Sequence, residues 1–186
     1  MKIKMFIALF SILIISGCVP SLHQLWTDKT LVYDEAFVGK FQHDKEVWEF
    51  TGDPDNKSYK LVITKGKDEE SKLSAHLVNV DGQLFFDFYP DGDIEAGDYT
   101  KMHLIGVHLF WKAEKTENGF VLAAMDPEEV GKLLKEKPEL IKHERIEDDR
   151  VVLTDTPENL QKFLIVAPKL NKKVFGEPEA FVRITD

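Results

Sequence analysis

Residues 73–88 read LSAHLVNVDGQLFFDF. Apolar side chains recur at every second position on both sides of a central Asp-Gly pair. They are Leu73, Ala75, Leu77, Leu84, Phe86 and Phe88. A period of two places such side chains on one face of a strand. Asp81-Gly82 favours a tight two-residue turn, so the stretch predicts a β-hairpin with one buried face.

The segments before this hairpin show the same alternation. Trp48 and Phe50 share one face of a predicted strand over residues 47–50, and residues 59–63 place three apolar side chains on the inner face of another. Residues 53–56 between them read DPDN, which predicts a turn because proline presets one dihedral and the Asx side chains bond nearby backbone groups. These segments extend the hairpin into an antiparallel meander.

Further strands are predicted after the hairpin. Asn118-Gly119 indicates a turn between strands near residues 107–113 and 120–125. Residues 141–146 and 151–154 flank a polar segment over residues 147–150, which predicts another hairpin. The last strand is expected over residues 180–184.

Two helices are predicted from their start signals. Asp126-Pro127 supplies an N-cap and a proline at the first helical position, and an apolar stripe follows. Thr156-Pro157 begins the second helix, which Pro168 is expected to end. The chain is therefore expected to be mainly β, a β-rich α+β fold with two short helices.

About eight to ten short strands favour a closed or partly open barrel, since closure removes exposed strand edges. The order of many antiparallel strands, a late helix and a final strand resembles the lipocalin family, which opens with a Gly-x-Trp motif. Gly39 stands at a suitable position here, with Phe41 in place of the tryptophan. The helix expected over residues 127–137 departs from that family. The resemblance implies a lipocalin-like barrel.

The first eighteen residues resemble a bacterial lipoprotein signal peptide. Lys2 and Lys4 precede an apolar run over residues 5–15, and Ile15-Ser16-Gly17-Cys18 follows the lipobox pattern. A secretory signal combines a charged start, roughly 7 to 15 apolar residues and small residues before the cut. A membrane-spanning helix is the alternative, but it needs roughly 20 apolar residues. An ordinary signal with a chance cysteine is the other alternative.

The resemblance implies that Cys18 carries a thioether-linked diacylglycerol, is further acylated, for example with palmitate, and becomes the new N-terminus. The resulting partner is the membrane. In this family an aspartate after the cysteine usually retains the protein at the inner membrane. Val19 stands there instead, so the outer membrane is expected where the host has two membranes, and otherwise the outer face of the cell membrane. The expected division is a signal over residues 1–17, a lipidated N-terminus and short tether over 18–35, and one β-rich domain over 36–186.

Composition limits the function further. Residues 1–17 carry two lysines and no acid, so the mature 169 residues hold 22 basic and 33 acidic side chains, a net charge of −11. Such a surface repels nucleic acid and anionic lipid headgroups. Cys18 is the only cysteine, so its lipidation excludes disulfides and thiol chemistry from the mature domain.

Metal sites are not expected. Residues 91–98 form an acidic loop containing Asp91, Asp93, Glu95 and Asp98, but the EF-hand spacing fails, which favours a solvated turn over calcium binding. The five-residue separation of His103 and His108 would put them on opposite faces of a strand or on poorly matched faces of a helix, and His76 lies on a predicted strand. Exposed or core histidines are therefore favoured over zinc ligands. No cofactor motif is present.

Asp87 is the one polar residue within an apolar strand. Buried, it would need a partner and would have a raised pKa, which is one mark of a functional site. A structural acid or a polar strand face is the alternative. The chain contains no nucleophile elbow, phosphate-binding loop or dinucleotide fingerprint. No catalytic residue is assigned, and the protein is expected not to be an enzyme.

Three hypotheses for the function remain at this point. A lipid-anchored envelope protein with a barrel lined by residues such as Trp48 and Trp111 would bind a small hydrophobic ligand, and it needs a cavity of roughly 300 Å³ or more. An envelope interaction or assembly module would instead have a filled core and no ligand. A hydrolase, the third, would need a polar cleft that contains Asp87 and a histidine.

Overall fold

The alternation in residues 73–88 forms two long antiparallel strands with the predicted turn between them. In the computed structural model, which describes residues 18–66, 69–92, 97–147 and 150–185, Val80 pairs with Gln83 across the turn. Both turn residues have positive φ, 50° at Asp81 and 81° at Gly82, as a type I′ turn requires. The hairpin prediction is confirmed.

Eight strands form the barrel wall. They are β3 (Gly39–His43), β4 (Glu46–Asp53), β5 (Ser58–Lys65), β6 (Glu69–Val80), β7 (Gln83–Pro90), β8 (His108–Thr116), β9 (Gly119–Ala124) and β12 (Glu179–Arg183). Each pairs antiparallel with its neighbours, and β12 bridges β9 and β3, which closes the ring. The mainly β, lipocalin-like barrel is confirmed, and it is closed.

The remaining elements lie outside the barrel or at its ends. They are β1 (Pro20–Ser21), β2 (Leu31–Val32), a 3-10 helix over Glu35–Phe37, α1 (Asp98–Lys101), α2 (Pro127–Glu136), a 3-10 helix over Pro138–Leu140, β10 (His143–Glu147), β11 (Arg150–Leu153) and α3 (Pro157–Leu170). β1 pairs with β8 on one side and with β11 on the other, so a short β10-β11-β1 sheet branches from the wall.

The helices agree with the predicted starts. Asp126 accepts a hydrogen bond from the Glu129 N–H and caps α2. The prediction that Pro168 ends α3 is wrong, because the helix continues to Leu170. Proline in the last turn removes only the bond that its own nitrogen would make, and Asn171 N–H still bonds Ala167 O at 2.9 Å. The single-turn α1 was not predicted.

Residues 18–35, expected to be a tether, pack against the domain. Val19 and Leu25 are buried in a core, and β2 pairs with β6. Two-residue strands are too short to show a period, so the sequence gives no sign of them. In the described residues, no helix is long and apolar enough to cross a membrane.

The fold has two hydrophobic cores that share one wall. Phe86 and Leu77 point into the barrel, whereas Phe85 and Val78, their neighbours in the chain, point outward against the helices. The outer core lies between this face of the wall and α2, α3, β11 and the N-terminal segment with Val19 and Leu25. A meander buried on both faces explains why the strand at Phe85-Phe86 is continuously apolar.

Candidate functional site

Aromatic side chains fill the barrel interior. The fully or nearly fully buried ones are Phe37, Phe41, Trp48, Phe50, Tyr59, Phe86, Phe88, Phe120 and Phe181. Their rings contact each other at centroid distances from 4.6 Å, for Phe41 and Phe120, to 6.4 Å, for Trp48 and Phe50. Such edge and offset contacts are those of a packed core.

Two cavities of the described part of the chain lie outside this interior. One, about 590 Å³, is lined by polar and charged residues of the β3–β4 turn and the end of β5, including His43 and Lys65. The other, about 210 Å³, lies between the outer face of β8 and β9 and the segment around Phe175. An apolar ligand needs an apolar lining, which the first cavity does not offer.

One end of the barrel is closed by the 3-10 helix. Arg183 donates from its two terminal nitrogens to Ala36 O at 2.7 Å and to Val38 O at 2.8 Å. Its guanidinium lies 4.6 Å from the centre of the Phe41 ring. A side chain on Gly39, whose φ is +123°, would collide with this guanidinium. Gly39 and Phe41, the two residues compared with the Gly-x-Trp motif, therefore both contact the Arg183 guanidinium at the closed end.

Cys18 lies at the opposite end, which we call the anchor end. The β3–β4 turn and the β7–β8 connection also lie there. Burial raises the pKa of the Cys18 thiol, and the Glu179 carboxylate raises it further. The side chain of Trp111, a residue that pairs with Ala124 at the end of β9, acts to lower the pKa of the Cys18 thiol. Its sulfur is thus at the barrel rim.

Asp87 is buried, with 1% of its surface exposed, and has two partners. Its Oδ1 lies 2.8 Å from His108 Nδ1, and its Oδ2 accepts a 2.8 Å hydrogen bond from the Leu25 N–H. His76 faces it across the β6–β7 pair and stacks on Trp26 at 5.0 Å. Burial lowers the pKa of His76, and the Asp87 carboxylate opposes this shift. The cluster lies on the outer face of the wall, beneath the N-terminal segment.

This cluster holds the N-terminal segment in place. While Asp87 binds the N–H of Leu25, Gln161 of α3 donates to the Leu25 carbonyl at 2.8 Å. Ser21 is opposite His108 in β1, but it is fully buried and its hydroxyl donates to His23 O at 2.7 Å. Asp87 and His108 therefore orient each other, and the Ser21 hydroxyl donates to His23 O rather than to His108.

The other predicted residues remain apart. Asp91 and Asp98 are exposed, whereas Asp93 and Glu95 lie outside the described residues. His103 is exposed after α1, whereas His108 is bonded to the buried Asp87. Within the described ranges, no group of three or more histidine, cysteine or acidic side chains is arranged to hold a metal ion.

The fold therefore defines the chain as a closed, eight-stranded antiparallel barrel of lipocalin-like architecture with an added helical layer. Comparison with protein-family profiles, with curated proteins and with solved structures found no match to this chain. The function must therefore be inferred from its own residues.

Proposed function

We propose that the protein is a lipid-anchored bacterial envelope protein whose barrel is a filled scaffold, acting through its outer surface as an interaction or assembly module. The packed aromatic interior favours this module over a ligand carrier. A carrier requires an apolar cavity, whereas Phe50, Phe86 and Phe120 occupy the centre of the barrel with rings 5.5 to 5.8 Å apart. The partner is the membrane and, beyond it, another envelope component.

The position of Cys18 supports the anchor. Its side chain is half-buried at the rim of the barrel beside Trp111 and is not one of the fully buried side chains of the interior. Stable anchoring takes about two acyl chains, and each buried methylene contributes about 0.8 kcal/mol. The lipobox supplies those chains at a single residue. If the host has two membranes, Val19 favours the outer one.

Cell fractionation of a Cys18→Ser variant tests the anchor. The variant is expected to appear in the soluble fraction or to remain unprocessed, because it offers no sulfur for the thioether. His23→Ser is the matched control, since His23 is exposed five residues later and its loss leaves the cysteine intact. A processed Cys18→Ser protein that stays with the membrane would refute the anchor.

Native mass spectrometry tests the filled barrel. The lipidated chain, released gently from detergent, is expected to show only the covalent lipid on Cys18. Packed rings, among them Phe41, Trp48 and Phe88, occupy its interior. A reproducible noncovalent lipid adduct, lost on Phe86→Trp substitution at the barrel centre, would overturn the scaffold and restore the carrier.

A further inference from the structure

The most exposed large apolar side chains of the described residues lie in the connection between β7 and β8. Tyr99 is 87% exposed, Met102 79% and Ile105 75%. Leu104, Tyr89 and Leu22 lie at the same end, and the six together are called the rim patch. They account for six of the eleven exposed large hydrophobic residues, while the other five are spread over β10, α3 and the chain end near β12.

The base of the rim patch is held rigidly by the barrel. The Tyr89 phenol packs so closely on Gly106 that a Cβ there would collide with it. The Tyr89 ring lies 4.5 Å from the His108 ring, and His108 is bonded to buried Asp87. The patch therefore projects from a fixed point on the rim.

The rim patch is next to the proposed anchor. Ser21 pairs with His108, the first residue after the β7–β8 connection, and Leu22 follows it. Because β1 runs antiparallel to β8, Cys18 lies about 10 Å from Ser21 back along β8, while Leu22 lies on the side of the β7–β8 connection. Apolar faces of peripheral proteins enter the headgroup and acyl boundary by about 5–10 Å, so the anchor and the patch can reach the same interface.

We infer that the rim patch is a membrane-docking surface that inserts into the bilayer holding the lipid of Cys18, and so fixes the barrel with its anchor end down. This inference rests on the proposed lipid anchor. Exposed apolar patches of this kind mark contact surfaces. The anchor favours the bilayer over a second copy of the chain, because it tethers to the bilayer the end of the barrel that carries the rim patch. A dimer through this end would trap both lipids between the copies.

The unique cysteine chemistry of the chain makes a direct test possible. Because lipidation uses the only native thiol, an introduced cysteine is the single labelling site. Tyr99→Cys places an environment-sensitive fluorophore in the rim patch, and Asp55→Cys places it at an exposed turn at the opposite end. Both lipidated chains are reconstituted in vesicles of phosphatidylethanolamine and phosphatidylcholine, whose headgroups carry no net charge and so repel neither the acidic chain nor iodide, and quenching by iodide is measured.

With insertion, emission at position 99 shifts to the blue and its iodide quenching falls at least about threefold, while position 55 is unchanged. If both positions are quenched equally and mass spectrometry verifies the lipid on Cys18, the docking proposal is refuted and the lipid-anchor proposal is not. Absence of lipid in the mass overturns both proposals. Protection at position 99 without vesicles, together with a dimer mass, overturns bilayer docking in favour of a second copy.

Discussion

At the residue scale, Asp87 is the most consequential polar group of the wall. Burying a carboxylate costs several kcal/mol unless it is paired, and here His108 and the Leu25 N–H provide the partners. The Leu25 bond spans 62 residues of sequence. One buried acid therefore joins the barrel to the N-terminal segment, which makes the structural interpretation of Asp87 the one that its contacts support.

Replacing Asp87 by leucine should destabilise the fold by about 3 kcal/mol, because it leaves the Leu25 N–H and His108 without their buried acceptor. Urea unfolding of the mature domain measures this free energy. Asp91→Asn, at an exposed position, is the control and should lie within about 0.5 kcal/mol of the parent. A loss of under 1 kcal/mol for Asp87→Leu would mean that the cluster does not hold the segment.

Asp155 is expected to make the free energy of unfolding depend on pH. Burial alone would raise its pKa, but hydrogen bonds from Asn159 and from the Lys142 and Thr156 N–H groups lower it overall. A lowered folded-state pKa means that this stabilisation is complete above the unfolded value of about 3.9 and is lost as the pH falls through the folded value.

Asp155→Asn should therefore cost about 1–2 kcal/mol at pH 7, since its amide places donors opposite donors, and the difference from the parent should shrink below about pH 4. Chemical unfolding at several pH values checks this. Asp28→Asn, exposed in the N-terminal segment, is the control and should show no such trend. A difference that stayed constant down to pH 2 would contradict the role of the charge.

At the element scale, the closed end depends on Arg183 of β12. It joins the last strand to the 3-10 helix and to the first barrel strand through two carbonyls and the Phe41 ring. Lysine keeps the charge but lacks the planar fork that reaches two acceptors at once. The contact is solvent-exposed, so screening by water limits its strength.

Arg183→Lys should lower the free energy of unfolding by about 1 kcal/mol, because one carbonyl bond and the ring contact are lost. Thermal unfolding monitored by circular dichroism is the measurement. Lys40→Arg, on an exposed position of β3, is the matched control and should have no effect. An unchanged Arg183→Lys midpoint would show that β12 closes the barrel through its backbone ladder alone.

The register of strands joined by tight turns could be predicted from the sequence, and the register of strands joined by long connections could not. The turn at Asp81-Gly82 fixes the β6–β7 register, and alternation then assigns Phe86 to the interior. The β7–β8 connection is long, so no turn type sets the register that brings His108 to Asp87. The two-residue β1 has no period to recognise. The contacts of Asp87 therefore depend on tertiary packing that no local pattern specifies.

At the scale of the whole molecule, the two cores are expected to unfold together. One face of the shared wall packs in the barrel core and the other packs in the outer core. Leu25 is bonded to the barrel through Asp87 and to α3 through Gln161. Loss of either core would expose apolar side chains on one face of the wall, which disfavours a state with only one core formed.

Phe85 and Phe86 provide a matched pair for testing this coupling, since both side chains are fully buried, one in each core. Phe85→Ala and Phe86→Ala should each cost about 3–5 kcal/mol, because each leaves a cavity in a packed environment. If the cores are one cooperative unit, the free energy of unfolding of both variants should fall with urea concentration at the same slope as that of the parent. For each variant, fluorescence and circular dichroism should then give one and the same midpoint. Phe85→Ala would instead show two transitions if the barrel survives without the outer core, and the shared wall would then not couple them.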